Sequence, residues 1–312
     1  MATPALFSEI ILNQAPRLAP GSPCLAVEPL AHLDYARELE LKNQALQEFW
    51  RRHELPLTPA PVVPSPRPRH YRTTTRRHAL FERGRVHLTA DPADRRGRAV
   101  AAAASSQLEP VEHAALYAFI GERLREPHFR PLAEALHFVI IRGSYVERCV
   151  IFNVSRLDAV IVRKLKLLGQ SLPEADAAVV SAFVFFDPTR SPYYLDSGTV
   201  PGSVKVKKLF GPEVLVVEFA GLRYLYYPTG FTQVNESLVP GLLSTARELL
   251  SPGGEREHLV DLYCGYGLFA HSLAASYAHV CGLDVAPESI EAAQRNARFH
   301  APGNRVTFRV CR

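Results

Sequence analysis

The chain has little cysteine: five residues (Cys24, Cys149, Cys264, Cys281 and Cys311) among 312, an odd number with no C-x-x-C pair. That excludes a disulfide framework and a zinc ribbon, and it suits a reducing cytoplasm. Long hydrophobic runs are missing as well. The longest largely apolar stretch, Ala177 to Phe186, has the length of a strand and falls far short of the roughly 18 residues of a membrane span. The N-terminus lacks the basic start and apolar run of a secretory signal. What is present is a globular composition, 47% hydrophobic and 21% charged, on a length suited to about two domains. The expectation is a cytoplasmic protein without a membrane partner.

The net charge is only +5, but its distribution is uneven. Ten arginines (67, 69, 72, 76, 77, 83, 85, 95, 96 and 98) fall between Arg67 and Arg98, against Glu82, Asp91 and Asp94. Arginine presents a planar fork of donors that suits phosphate oxygens, so the block reads as a nucleic-acid footprint. The competing reading is a solvated arginine-rich loop.

Residues 1–30 are rich in Pro and Ala and show no period, which predicts a poorly structured N-terminus. Apolar residues then recur at helical spacing from Leu33 to Arg52, until Pro56 and a proline-rich extended stretch. Strands are expected over 71–88, helix over 111–126, strands at 137–142 and 146–154, and helix over 156–168. Further strands follow at 178–186, 204–209, 213–219 and 222–227, giving an α+β domain over 31–228. Ser237 is placed to cap a helix running to Leu250, with Pro240 in its first turn.

Beyond Ser251-Pro252-Gly253-Gly254 the grammar changes. A strand from His258 to Tyr263, a helix to about Ala275, a strand from His279 to Asp284, a helix opened by Pro287 and a strand from Arg305 to Val310 form a βαβαβ alternation. That is the start of a doubly wound parallel α/β sheet. The first strand runs into Asp261-x-Tyr263-x-Gly265-x-Gly267, where glycines let a ligand approach the backbone. Asp284 follows Gly265 at close to the ~20 residues expected of a ribose-binding acid. Ala270 stands where a dinucleotide fingerprint wants its third glycine, and Asp261 suits the ammonium group of S-adenosylmethionine better.

Phe231-Thr232-Gln233-Val234-Asn235, the Asp261–Gly267 turn and Asn296-Ala297 together resemble the RNA uracil-C5 methyltransferases, class I enzymes that use S-adenosyl-L-methionine on tRNA or rRNA. Upstream, Tyr35-Ala36-Arg37-Glu38-Leu39-Glu40-Leu41-Lys42 is similar to the family's Tyr-x-x-Gln-Leu-x-x-Lys helix, with Glu38 for the glutamine. Ser65-Pro66 through Tyr71-Arg72 resembles its Ser-Pro-x-x-x-x-Tyr-Arg segment. The resemblance implies a Rossmann-like methyltransferase domain from residue 229, of which three strands are present, behind an α+β RNA-binding domain. It assigns Gln233, Tyr263, Gly265, Gly267 and Asp284 to the cofactor, with Asp284 in place of a glutamate. Arg67, Arg69, Arg72, Arg76 and Arg77 are then the expected RNA-binding residues. Taken singly, Gln233 could cap the next helix and Tyr263 could be a core aromatic.

The departures from the family bear on chemistry. Leu268 replaces an asparagine that is common in the turn. Leu25 and Glu28 lie where ribosomal members carry cysteines, so no iron–sulfur cluster is expected. No N-terminal RNA-binding barrel is expected before residue 30. Uracil C5 becomes nucleophilic only after a thiolate adds to C6, and a base must later remove the C5 proton. The family's Ser-Cys-Asn-Pro and Asp-Pro-Pro-Arg segments do not occur in the sequence. The expectation is a truncated chain, inactive alone, whose first parallel strand exposes an edge, unless a separate chain supplies the remainder. The rivals are a non-catalytic RNA-binding remnant and, less well supported, a nicotinamide-dependent oxidoreductase.

Overall fold

The computed structural model describes residues 5–17, 27–90, 106–193, 195, 206–250, 257–300 and 305–311. Arg95, Arg96 and Arg98 of the arginine-rich block lie outside them, as do Cys24 and Leu25. The first element corrects the expectation of a poorly structured start, because α1 (Phe7–Gln14) is helical. Eight residues are too few to display a period, and so short a helix stands only with tertiary support. That support comes from α2 (Tyr35–Arg52): Ile10 and Ile11 bury against Ala45, and Phe7 meets the Phe49 ring edge-on at 6.2 Å. α2 begins where the Asp34 side chain accepts the Ala36 N–H at 2.9 Å.

The chain continues through the hairpin β1 (Thr75–Glu82) and β2 (Arg85–Thr89) to helices α3 (Val111–Arg125) and α4 (Arg130–Ala135). Strands β3 (Leu136–Gly143) and β4 (Arg148–Val154), helix α5 (Ala159–Ala175), and strands β5 (Val179–Phe186) and β6 (Val206–Phe210) follow. The strands form one sheet in the order β2-β1-β3-β4-β5-β6, parallel only between β4 and β5. Every residue of β3 and β4 is buried, which explains their unbroken apolar runs. One face packs under Leu116, Ile120, Leu132, Ile161 and Leu165 of α3, α4 and α5. α5 runs past its expected end near 168. Gly169 weakens a helix by itself, but here it lies within packing distance of Phe210 and Ala182, so tertiary contact overrides propensity.

The second half of the chain covers the other face. The ribbon β7 (Leu215–Phe219) and β8 (Leu222–Tyr226) brings Leu215, Tyr224 and Tyr226 against Phe138, Ile151 and Phe183. Tyr266, Leu268 and Ala292 join that same core, so it ties the six-stranded sheet to the C-terminal unit. A 3-10 turn at Glu236–Leu238 leads into α6 (Val239–Leu249). This corrects the cap expected at Ser237: the residue lies inside the 3-10 turn, and its hydroxyl donates to Asn235 Oδ1 at 2.6 Å.

The C-terminal unit runs β9 (His258–Leu262), α7 (Leu268–Leu273), β10 (His279–Asp284), α8 (Pro287–His300) and β11 (Val306–Val310). Its strands pair in parallel, in the order β11-β10-β9. This is the expected βαβαβ pattern of a Rossmann-like sheet. Among the described residues β9 is an edge strand, with Val260 58% and Leu262 62% exposed. No helix of the described residues is long and apolar enough to cross a membrane.

Candidate cofactor site and arginine-lined face

After β9 the chain reverses into α7 through a turn with three left-handed residues: Tyr263 (φ 61°), Gly265 (φ 55°) and Gly267 (φ 87°). At Gly267 the requirement is steric, since a Cβ would lie 2.8 Å from the His271 ring and 2.9 Å from Phe308. Gly265 is different. A Cβ there would meet nothing within 4 Å, so this glycine borders open space at the carboxyl end of the strands. That is where open α/β sheets take their ligands. Tyr263 is 87% exposed, which rules out its reading as a core aromatic.

Asp284, at the end of β10, closes the turn from the neighbouring strand. Its Oδ2 accepts the Gly265 N–H and its Oδ1 accepts the Ala286 N–H, each at 2.8 Å. A carboxylate offers about four lone-pair sites, so about two remain for the hydroxyls of a ligand. Asp261, on β9, accepts the Ala270 N–H on its Oδ2 at 3.0 Å. Burial pushes the Asp261 carboxyl up to about 6, the Ala270 N–H opposes that rise, and the like charge of Asp284 adds to it. The electrostatic complement of two such carboxylates is a cation. Cys264, between them in the turn, is a buried thiol pushed up to about 12, first by burial and then by Asp261 and Asp284. It is inert near neutral pH.

Gln233 arrives on a segment latched to α8. The Tyr227 hydroxyl donates to Glu291 at 2.7 Å and the Thr229 hydroxyl to Glu288 at 2.6 Å, while Arg142 donates to the Pro228 and Gly230 carbonyls at 2.6 Å. Since α8 opens just after Asp284, the latch holds this segment beside that end of the parallel sheet. Gln233 is half-buried, and its amide makes no hydrogen bond among the described residues. It does not cap the following helix, which has no side-chain cap.

The arginines divide. Arg77 is partly buried and donates to both oxygens of Glu109, at 2.7 and 2.6 Å, with Tyr117 beneath its guanidinium at 4.4 Å. Arg69 donates to Glu38 at 2.7 Å and to the Leu33 carbonyl at 2.9 Å. The charge of both is taken up inside the protein, unlike the surface role expected for them. Arg67 lies over the Tyr145 ring at 4.2 Å, and Arg76 over Phe138 at 5.4 Å. Arg72 is exposed.

The tRNA (Uracil-5-)-methyltransferase family matches residues 202–311, the part of the chain that carries the glycine turn, Gln233 and Asp284. Over that stretch the chain is similar to the RNA uracil-C5 methyltransferases. A 23S rRNA (uracil(1939)-C(5))-methyltransferase of Bordetella parapertussis is 27% identical over 97% of this chain and 62% of its own length. An uncharacterized RNA methyltransferase of Thermosynechococcus vestitus is 36% identical over 31% of this chain and 23% of its own. Among solved structures, a tRNA (uracil-54, C5)-methyltransferase of Pyrococcus abyssi in complex with S-adenosyl-L-homocysteine shares the fold. The TM-score is 0.64 at 19% identity, covering 95% of this chain and 65% of that one. The chain spans less than two thirds of the length of each of these relatives.

The family's separated motifs meet in space. The Ser65 N–H donates to the Tyr35 hydroxyl at 2.6 Å, and the Asn235 amide donates to the Ser65 hydroxyl at 3.0 Å. Glu38, where the resemblance leads one to expect glutamine, is buried between Lys42 at 2.5 Å and Arg69 at 2.7 Å. Asn296 is wholly buried. It accepts the Leu225 N–H at 2.8 Å and donates to the Leu225 and Tyr266 carbonyls at 2.9 and 3.0 Å, pinning the glycine turn to β8. Sequence reasoning singled out Asn296 only as part of a motif. It missed Glu236, whose carboxyl burial pushes up to about 7 against the pull of the Tyr145 N–H and Arg67. No spacing rule points to the pin made by Asn296 or to the raised carboxyl of Glu236.

Proposed function

We propose that this chain is the cofactor-holding and RNA-facing part of an S-adenosylmethionine-dependent RNA uracil-C5 methyltransferase. The observation that carries the reading is the cradle at Gly265, open where a Cβ would stand and closed below by the Asp284 carboxylate. Asp284 would take the ribose hydroxyls, Gly265 would let the ligand lie against the backbone, and Asp261 would face its cationic end. Gln233 and Tyr263 would border the same crevice, and Gly267 would keep the turn in shape. When bound, the cofactor supplies an electrophilic methyl group. Arg72, the exposed arginine of the 67–77 segment, would meet RNA phosphates of an rRNA or tRNA, with Arg67 and Arg76 beside it.

The reaction also requires a thiolate nucleophile and a base. Cys149 and Cys264 are both buried thiols pushed up to about 12, far from thiolate at neutral pH. Neither of these two is a ready nucleophile, and neither Cys281 nor Cys311 lies in a Ser-Cys-Asn-Pro segment. The reading proposed is that these 312 residues bind cofactor and RNA without turning over, with further strands covering the β9 edge in the working enzyme. Incubation with unmodified rRNA or tRNA and methyl-labelled S-adenosylmethionine tests this. Retention of the cofactor without label in RNA is the expected result; 5-methyluridine formed by the chain alone would refute it.

A further inference from the structure

We infer that the cavity beside β1 is a phosphate subsite for an RNA strand, built on Arg72 and Thr74; this rests on the RNA methyltransferase reading above. The cavity holds about 460 Å³, and Arg72, Thr74, Arg76, Arg77, Glu109 and Tyr193 are among its lining residues. Its polar groups are not equivalent. Arg77 and Glu109 satisfy each other, and Glu28, also in the lining, accepts the Ser106 hydroxyl and the Gln107 N–H. Arg72 is exposed and makes no side-chain ion pair or hydrogen bond among the described residues. Two residues on, the Thr74 hydroxyl is buried with no partner. An unpaired buried hydroxyl is costly, and one in a cavity wall near an arginine marks the place of an acceptor. With Arg77 and Glu109 paired to each other, the unpaired Arg72 guanidinium in the same lining makes that acceptor an anion, and its fork fits phosphate.

The position favours an RNA backbone over a free nucleotide. Arg72 forms an antiparallel bridge with Asn235, and the Thr73 N–H donates to the Val234 carbonyl at 3.0 Å. The subsite is thus one strand spacing, ~4.8 Å, from the segment that carries Gln233. A phosphate held there belongs to a nucleotide flanking the one offered to the cofactor.

The test uses the full chain and a fluorescein-labelled single-stranded RNA of about 12 nucleotides. Its anisotropy is followed from about 50 to 200 mM salt. R72A is expected to flatten the slope of log K against log salt by about 0.7, one phosphate contact on a single strand. It should also weaken binding about tenfold, while R72K retains the slope. T74V should weaken binding about fivefold while its melting temperature holds or rises, since an orphan hydroxyl is exchanged for a methyl. Unchanged slope and affinity in both R72A and T74V, with the wild type bound, overturns the subsite and leaves the methyltransferase reading standing. No RNA binding by the wild type overturns both. UMP that binds in an Arg72-dependent way as tightly as the RNA overturns the strand assignment in favour of a free nucleotide.

Discussion

The Gly265 N–H donates to the Asp284 carboxylate at 2.8 Å, so the acid assigned to the cofactor also fixes the glycine turn that would hold it. Its other oxygen holds the Ala286 N–H, at the entrance to α8. D284A removes both supports together with the proposed ribose contacts. The expected result is a 10- to 100-fold loss of S-adenosylmethionine affinity, the size of one charge-assisted hydrogen bond at about 1.5–3 kcal/mol. Calorimetric titration checks it, and unchanged affinity would remove Asp284 from the site.

The two turn glycines should separate stability from binding. G267A places a Cβ 2.8 Å from His271 in left-handed backbone, so it should lower stability by about 2 kcal/mol or more. At G265A only the left-handed strain remains, about 1 kcal/mol. Thermal melts of the two variants decide this, and equal losses would mean that Gly265 borders no open crevice.

Asp261 gives a pH signature. Its folded carboxyl titrates at about 6 against an ordinary 3.8, so between these values the folded protein binds the extra proton. Stability contributed at this site therefore falls as pH rises from about 4 to 6 and stays low above. D261N should be more stable than the wild type at pH 7, by on the order of 1–2 kcal/mol, and no more stable at pH 4. Cofactor binding should weaken as pH falls through about 6, because protonation removes the charge that faces the cation. Denaturant melts at both pH values test the first statement; a D261N variant less stable at pH 7 would contradict it.

Arg77 supplies the control for the arginine block. Truncating it leaves Glu109 buried without its partner, so R77A should cost about 3–5 kcal/mol. In protein that remains folded, the salt dependence of RNA binding should be unchanged. A flattened slope with an unchanged melting temperature would place Arg77 on the RNA instead.

The C-terminal unit was legible because its signals are local: a short apolar strand, a glycine turn and an acid at the next strand end sit within about 25 residues, near the spacing that nucleoside sites impose. What the sequence concealed depends on distant contacts. α1 forms because α2 offers Ala45 and Phe49, and α5 outlasts Gly169 because Phe210 packs there. Counting arginines located the basic block but not Glu38 and Glu109, which lie about 30 residues away and absorb Arg69 and Arg77. Asn296 and Leu225 are likewise 71 positions apart.

The central claim is that Gly265 and Asp284 cradle S-adenosylmethionine, and its most direct test is titration of that compound into the wild-type chain and into G265A. The account predicts a single site in the wild type that is lost in G265A while the melting curve stays nearly in place. Equal binding by the two proteins, or none by the wild type, would contradict it.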